Sequence, residues 1–207
     1  KAHSLCLDLP EGNWQSIHFH GRHAMERQME RCELIHGIEE FSSSRGTSSH
    51  QQNPTILLCE KECTETSGFC VGAALMYSGG FQTQIEKDQL KQVRVVMGIN
   101  PETFSWKLNA SERFNTPEVI LSCSMEGTAK LSQQFHKIIR HNVCRGKYQL
   151  SQRPILINNW EATYFDFDEK KILDIAKEAS KIGIDMFVLD DGWFGKRDSD
   201  NSGLGDW

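Results

Sequence analysis

The chain has 207 residues, of which 38% are hydrophobic and 25% are charged, and its formal net charge is −5. These proportions are those of a soluble globular protein of one or two domains, and they exclude collagen-like, disordered and coiled-coil proteins. An acidic chain without basic runs argues against nucleic acid as a partner. No segment approaches the roughly 18 apolar residues that a membrane span needs, so no membrane partner is expected either.

The chain from residue 4 to about residue 124 is predicted to form short β-strands separated by turns. Val93, Val95 and Met97 recur at every second position, and the triplet SGG at 78–80 is a turn signal. Closely spaced strands with few helices are typical of an antiparallel sandwich or barrel. The predicted strands cover residues 15–19, 33–41, 55–60, 69–77, 82–86, 93–99 and 119–122.

One amphipathic helix is predicted after these strands, over residues 127–145. Its apolar residues recur at helical spacing, and Gly146 stands where a C-terminal glycine cap would be. This helix joins the β-rich part of the chain to the C-terminal third. Its apolar face is formed by Leu131, Phe135, Ile138, Ile139 and Val143.

The pattern changes again after Pro154, to strand, helix and strand. The apolar runs at 155–157 and 186–189 are typical of strands that are buried on both faces. Between them, Asp168 can cap a helix over residues 169–181. This order predicts a βαβ unit in a parallel sheet.

A single βαβ unit leaves both sheet edges and most of each strand face uncovered, so the parallel sheet is expected to need further strands. The chain also begins at Lys1 rather than at a methionine. We therefore expect this sequence to be part of a longer protein that continues into a larger α/β domain, either doubly wound or a closed barrel.

Polar residues come directly after both predicted parallel strands, where α/β folds place their working residues. Residues 158–160, Asn-Asn-Trp, come after the first strand, and Asp190 and Asp191 come after the second. Carboxylates and amides hydrogen-bond vicinal hydroxyls, and an indole stacks on the C–H face of a pyranose, so this set suits a sugar. Two alternatives stay open: a divalent cation held by the aspartates, or an aspartate that caps the next helix with Trp193 in the core.

The chain has seven cysteines, an odd number, so they cannot all pair with one another. This favours the reducing cytoplasm, while a secreted location stays open because the chain does not start at a methionine. Cys59, Cys63 and Cys70 are close enough to suggest a metal site, but their spacing fits no zinc pattern well. Free thiols buried on strands are the favoured interpretation, and neither a metal nor an organic cofactor is expected.

Several long motifs run through the chain in a fixed order. The last two are RPILINNWEATYFDF at 153–167 and FVLDDGWFGKRDSDNSGLGDW at 187–207. Those before them are SSRGTSSHQQNP (43–54), YSGGFQTQIEKDQ (77–89), GINPETFSW (98–106), FNTPEVIL (114–121) and LSQQFHKIIR (131–140). Together they resemble the α-galactosidases of glycoside hydrolase family 36, over essentially the whole chain from about Gly21.

The resemblance implies a multidomain protein of β and α/β parts. Residues 1–124 would be the C-terminal part of an antiparallel β-supersandwich, which is the N-terminal domain of that family. Residues 125–152 would be a linker helix. Residues 153–207 would be the first βαβ unit of a (β/α)8 TIM barrel, which is incomplete in this chain.

The resemblance also implies the chemistry, which is retaining hydrolysis of terminal non-reducing α-D-galactose from galactosides such as melibiose and raffinose. Asp190 and Asp191 match the family's paired aspartates that hold galactose hydroxyls. Trp160 matches an aromatic residue of the same subsite, and Trp193 lies in the same motif with less weight. The family's nucleophile lies near a Lys-Trp-Asp string that this sequence lacks. No catalytic residue is therefore expected in this chain, which should be inactive alone.

Other functions remain open from the sequence. Within the family, an α-N-acetylgalactosaminidase or a raffinose-synthase-like galactosyltransferase would differ largely in later parts of the barrel. Outside it, the chain could be a non-catalytic β-domain that binds sugar or a partner, although the two parallel strands argue against this. The family often forms tetramers, so the full-length protein is expected to be a homo-oligomer that takes an α-galactoside oligosaccharide as substrate.

Overall fold

The computed structural model describes residues 3–102 and 104–206. Trp207, which ends the last family motif, and Thr103, within an earlier one, lie outside the described residues. The chain divides into two compact units, Lys1–Arg140 and His141–Trp207. None of the helices in the described ranges combines the length and apolarity that crossing a membrane requires.

The described residues of the first unit form nine strands in two antiparallel sheets. The strands are β1 (His3–Leu9), β2 (Trp14–Arg22), β3 (Met25–Glu33), β4 (Gly37–Ser42), β5 (Gln52–Glu60), β6 (Cys70–Leu75), β7 (Phe81–Lys87), β8 (Val93–Ile99) and β9 (Val119–Ser124). One sheet has the order β1-β8-β7-β4, and the other has the order β3-β2-β5-β6-β9.

The two sheets enclose one apolar core. Phe81 and Ile85 of β7 and Met97 of β8 are at most 1% exposed, and they pack with Ile56 and Leu58 of β5. Side chains along a strand point alternately to its two faces, so every second residue of these strands enters the core. The antiparallel sandwich predicted from the sequence is confirmed.

A helix covers the outer face of the five-stranded sheet and creates a second core. Helix α1 (Gly127–Ile138) buries Leu131 and Phe135 against that face. Gly72 of β6 is required at this contact, because a Cβ atom there would lie 2.5 Å from Phe135 Cε2. Helix α1 belongs to the first compact unit, which ends at Arg140. Compact units are not domain boundaries, so the predicted domain limits at residues 124 and 153 stay predictions.

The observed elements of the first unit differ from the sequence-based limits in three places. Strand β1 is absent from the predicted set. Strand β3 has no apolar alternation, because every residue of it except Cys32 is exposed; only its alternating charges, from Arg22 to Arg31, indicate a solvated or interface strand face. The predicted strand over 33–41 is divided, because the chain turns at Gly37, whose φ is +115°. The predicted helix over 127–145 ends its α-helical part at Ile138 and continues as a π-helical turn, Ile139–Val143, with no buried residue.

The second unit is built on one strand–helix–strand unit, as predicted. Its elements, in chain order, are β10 (Leu156–Asn158), α2 (Trp160–Thr163), α3 (Glu169–Lys181) and β11 (Met186–Val188). The two strands pair in parallel. Leu156 is 50% exposed and Met186 is 43% exposed, as expected for a single βαβ unit without further strands. A sheet of two strands in the described residues leaves its faces open.

Asp168 caps the N-terminus of α3, where its Oδ1 accepts a hydrogen bond from the Lys171 backbone N–H over 2.8 Å. We expect Asp168→Ala to lower the free energy of unfolding by about 1 kcal/mol, because a terminal amide loses its acceptor. Asp168→Asn keeps an acceptor oxygen and should cost much less. Chemical denaturation of the two variants measures the difference, and equal losses would show that the cap is not what stabilises this end of α3.

Candidate sugar-recognition site

The residues immediately after β10 and β11 lie at the same edge of the parallel sheet. Asn158 is the register partner of Val188. The backbone N–H of Asn159 donates to the Val188 carbonyl over 3.4 Å. The structure therefore brings together the two polar segments that the sequence singles out, 158–160 and 190–191, at the edge where α/β folds place their sites.

Asp190 is held by two amide side chains from the end of β10. Asn158 Nδ2 donates to Asp190 Oδ2 over 2.5 Å, and the Asp190 backbone N–H donates to Asn159 Oδ1 over 2.9 Å. Asn159 is 0% exposed, and its Nδ2 donates to Thr163 Oγ1 over 2.9 Å. A buried amide with satisfied hydrogen bonds has one favoured orientation, so Asn159 fixes the path of the chain at Asp190. Asp190 itself is exposed and open to a ligand.

Asp191 is held by Arg197 in a bidentate ion pair. Arg197 donates through Nε to Asp191 Oδ1 over 2.8 Å and through Nη2 to Asp191 Oδ2 over 2.6 Å. The side chains are 6% exposed for Arg197 and 27% exposed for Asp191. Two parallel N–H···O bonds fix the plane of the carboxylate as well as its position.

The same pair keeps Asp191 ionised. Hydrogen bonds from Arg197 lower the pKa of Asp191 below the ordinary value of an aspartate. Because the folded-state pKa is the lower one, the contribution of the pair to stability is present above the ordinary aspartate range. It is lost only as the pH falls through the lowered pKa.

Arg197 also closes the loop at 199–202. Its Nη1 donates to the backbone carbonyls of Ser199 and Ser202 over 2.5 and 2.7 Å. The guanidinium carbon lies 5.5 Å from the centre of the Phe165 ring. One buried cation therefore joins the carboxylate of Asp191, this loop and the aromatic ring of Phe165.

The turn that carries Asp191 requires a glycine at position 192. Gly192 has a φ of +85°, a conformation that residues with a Cβ rarely adopt. A Cβ there would also lie 3.1 Å from Phe165 Cδ1 and 3.2 Å from Phe167 Cε1. The Gly192 N–H donates to Asp191 Oδ1 over 2.8 Å, so the turn adds a third hydrogen bond to that carboxylate.

Trp160 lies beside the amides that hold Asp190. Its ring packs edge-on against Tyr164 and Phe165, with centroids 5.4 and 4.9 Å away. Its backbone N–H donates to Asn158 Oδ1 over 2.7 Å. Trp160 is only partly buried, so part of its surface remains available to a ligand.

The geometry narrows the alternatives for the aspartate pair. The segment after Asp191 forms turns rather than a helix, and Trp193 is 58% exposed rather than part of a core, so the capping interpretation is wrong. Among residues 3–102 and 104–206, no third carboxylate or histidine joins the pair at metal-ligand distance. Arg197 already occupies both oxygens of Asp191. A pair of oriented carboxylate acceptors remains, which suits hydroxyl donors.

Two family models divide the chain between them. The glycosyl hydrolase family 36 N-terminal domain matches residues 1–109, which is more than half of the chain, and Melibiase matches residues 113–207. The chain belongs to glycosyl hydrolase family 36. The resemblance carried by the sequence motifs is thereby confirmed.

Similar proteins extend well beyond the length of this chain. The bifunctional α-galactosidase/sucrose kinase AgaSK of Mediterraneibacter gnavus is 56% identical over 207 residues, which are 100% of this chain and 22% of that protein. The α-galactosidase Mel36A of Lactobacillus acidophilus is 48% identical over 207 residues, 28% of its length. The crystal structure of the α-galactosidase AgaA from Geobacillus stearothermophilus matches with a TM-score of 0.95 and 48% identity, covering 100% of this chain and 29% of that one.

These matches fix the fold class of this family 36 chain as a β-supersandwich followed by the start of a (β/α)8 barrel. The chain spans about a quarter of the length of the curated relatives that it matches.

Sequence reasoning finds the aspartate pair but misses the residues that orient it. Arg197 is not singled out, although it is a basic residue six positions after Asp191 across a glycine turn, in a loop otherwise rich in acidic residues. That charge pattern indicates an ion pair in this loop but does not show whether Lys196 or Arg197 forms it. Asn159 stands out only as a polar neighbour, and its complete burial has no signal in the sequence.

Proposed function

We propose that the protein containing this chain is a retaining α-galactosidase, and that the chain supplies part of its galactose-recognition site. The observation that carries the proposal is the placement of Asp190 and Asp191 beyond the carboxyl end of β11, beside the carboxyl end of the adjacent parallel strand β10. Both carboxylates are held in place by side-chain hydrogen bonds. The relatives that match over the full chain are named as α-galactosidases, which supports this assignment.

Solved relatives indicate the substrate class. Structures of AgaA variants from Geobacillus stearothermophilus contain stachyose and raffinose, and a third contains 1-deoxygalactonojirimycin. Both oligosaccharides end in α-linked galactose, and the third compound has the shape of galactose. We take an oligosaccharide with a terminal α-galactose as the substrate of this protein.

The hydrogen-bonding capacity left on the two aspartates suits a sugar. A carboxylate has about four acceptor positions. The Asp190 carboxylate uses two of these positions to accept hydrogen bonds from Asn158 Nδ2 and the Asp191 N–H. The Asp191 carboxylate uses three, to accept two hydrogen bonds from Arg197 and one from the Gly192 N–H. The remaining positions would accept hydroxyl hydrogens of galactose, with O4 and O6 as the groups that the family resemblance assigns. The partly exposed ring of Trp160 would line the same subsite, and Trp193 has a lesser role.

The bond-breaking carboxylates are placed outside this chain. A retaining glycosidase uses two carboxyl groups about 5–5.5 Å apart on opposite sides of the glycosidic bond. Asp190 and Asp191 are neighbours in the chain, so they cannot lie on opposite sides of one glycosidic bond. Their proposed role is therefore to bind the sugar and not to act as nucleophile and acid/base. The proposed mechanism uses no metal or organic cofactor, and a cytoplasmic homo-oligomer remains the expected form of the protein.

The two parts of this proposal are tested by assaying residues 1–207 alone beside the protein from the complete reading frame. With an aryl α-galactoside, we expect turnover by the complete protein and none above a heat-inactivated control by residues 1–207. An inactive complete protein, or one that prefers the aryl α-N-acetylgalactosaminide, would contradict the assigned activity. Turnover by residues 1–207 would contradict the placement of the catalytic carboxylates.

A further inference from the structure

Three cysteines of the first unit meet in the core beneath helix α1. The Sγ atoms of Cys59, Cys63 and Cys70 all lie within 4.8 Å of one another. The three residues are 0%, 2% and 0% exposed, and none forms a disulfide. Three sulfurs arranged in a plane around one ion with bonds of about 2.3 Å are about 4.0 Å apart. Small side-chain adjustments would therefore bring all three sulfurs onto one ion.

The fold places two of the three sulfurs by strand pairing. Cys59 of β5 and Cys70 of β6 are direct register partners in the five-stranded sheet. The next two residues opposite each other are Glu60 and Phe69, and the Glu60 N–H donates to the Phe69 carbonyl over 3.1 Å. Cys59 and Cys70 therefore form a non-hydrogen-bonded pair, in which side chains of antiparallel strands come closest.

The third sulfur is placed by a tight loop between those strands. The Cys63 N–H donates to the Glu60 carbonyl over 2.9 Å, which folds the chain back onto the strand pair. Gly68, with a φ of +94°, allows the return, since a Cβ there would lie 2.7 Å from Cys63 Cα. The Thr128 N–H of α1 donates to the Thr64 carbonyl over 3.1 Å, so the helix fastens the loop. The three thiols are thus assembled by the fold before any ligand arrives.

The surroundings make two of these thiols, those of Cys59 and Cys70, poor nucleophiles. Burial raises the pKa of both Cys59 and Cys70 to about 12, so they are protonated at neutral pH and unreactive toward oxidants. The neighbours in this core are apolar and include Ile17, Leu131 and Phe135. A catalytic or redox role is therefore disfavoured. Metal coordination differs, because a bound ion takes the proton's place on each sulfur that it ligates.

We propose that Cys59, Cys63 and Cys70 form a binding site for one thiophilic, three-coordinate metal ion, Cu(I). Soft thiolate donors favour Cu(I) among the available first-row ions. Zinc in structural sites is almost always four-coordinate, whereas the described residues offer no fourth ligating side chain at this cluster. All three residues are almost completely buried. The site uses none of the residues assigned to sugar recognition.

The test uses reduced protein from the complete reading frame, freed of metal and titrated anaerobically with Cu(I) buffered by a chromophoric chelator. We expect one equivalent of Cu(I) to leave the chelator and a thiolate-to-copper band to appear in the ultraviolet. The Cu X-ray absorption spectrum should show three sulfur neighbours and no nitrogen or oxygen neighbour. Because protons compete for the same sulfurs, the affinity should fall as the pH is lowered.

Two cysteine variants make the comparison specific to this cluster. Cys63→Ser should weaken Cu(I) binding by more than the roughly 10–100-fold that loss of an outer-shell partner costs. Cys6→Ser removes an exposed cysteine of β1 and should bind as the unmodified protein does. A thermal melt of each variant without metal shows whether Cys63→Ser still folds, and the absorption spectrum of the unmodified protein tests the site independently of any variant.

Several results would overturn the proposal. These are the absence of a tightly held equivalent of Cu(I), equal affinity in a folded Cys63→Ser variant, or a copper spectrum with other than three sulfur neighbours. Zinc titrated in parallel would overturn it as well if Zn(II) were held more tightly than Cu(I).

Discussion

Replacing Arg197 by alanine is expected to lower kcat/KM of the complete protein for an aryl α-galactoside by about a hundredfold or more. The variant removes both hydrogen bonds that orient the Asp191 carboxylate. It also removes the guanidinium donor from the Ser202 carbonyl and one of the donors from the Ser199 carbonyl. Because Arg197 is 8% exposed, water cannot readily replace the lost guanidinium. Steady-state kinetics with the complete protein measure the effect.

Two further variants distinguish the loss of Asp191 positioning from a general loss of protein stability. Arg197→Lys keeps the charge but cannot make the planar two-bond contact, so its kcat/KM should fall between those of the unmodified protein and Arg197→Ala. Arg94→Ala is the matched control, because Arg94 contacts both oxygens of Asp8 over 2.6 and 2.9 Å with both side chains more than half exposed. Exposed pairs contribute little, and this variant should keep full activity. Equal activities of Arg197→Ala and Arg94→Ala would contradict the positioning role.

Asp191→Asn is expected to lower kcat/KM by about tenfold to over a hundredfold. The substitution nearly preserves shape but removes the negative charge, so hydrogen bonds from sugar hydroxyls to a charged acceptor become bonds to a neutral one. Since the amide also cannot accept from both Arg197 nitrogens, the orientation of the side chain is weakened as well. Kinetics on an aryl α-galactoside and on raffinose should show the same loss, because the affected carboxylate is proposed to contact the galactose that both share.

The control for Asp191→Asn lies in the same loop. Asp198 is exposed, and its Oδ1 contacts Ser202 Oγ over 3.1 Å, so Asp198→Asn makes the same chemical change away from the proposed sugar contacts. It should leave kcat/KM within about twofold, as surface substitutions usually do. An unchanged kcat/KM in Asp191→Asn, or an equal loss in both variants, would refute the sugar-binding role of Asp191.

Elements whose periodicity reflects burial were predictable from the sequence. The alternation in β8 and the helical spacing of Leu131 and Phe135 report cores that the structure contains. Strand β3 could not be predicted in this way, because its residues are mostly polar and almost all exposed. Strand β3 is held in the sheet by its antiparallel pairing with β2, and no apolar pattern in its own sequence signals that pairing. The loss of regular α-helix after Ile138 likewise coincides with a stretch that has no buried residue.

The candidate site was predictable where polar residues stand at the ends of strands. Asp190 and Asp191 come directly after a buried-type apolar run, and parallel pairing with β10 brings them beside Asn158. The bonds that orient them depend on a loop return to Arg197 and on the burial of Asn159. Neither can be read from local spacing, because both depend on which residues the loop and strands bring together in three dimensions.

A crystal structure of the complete protein with 1-deoxygalactonojirimycin bound would decide whether Asp190 and Asp191 recognise galactose. We expect hydroxyl groups of this galactose-shaped compound to lie within hydrogen-bond distance, about 2.6–3.2 Å, of both carboxylates. Arg197 should still hold Asp191, and the flanking nucleophile and acid/base should come from outside residues 1–207. A compound bound in a pocket that neither aspartate touches would contradict the assignment of this site to galactose.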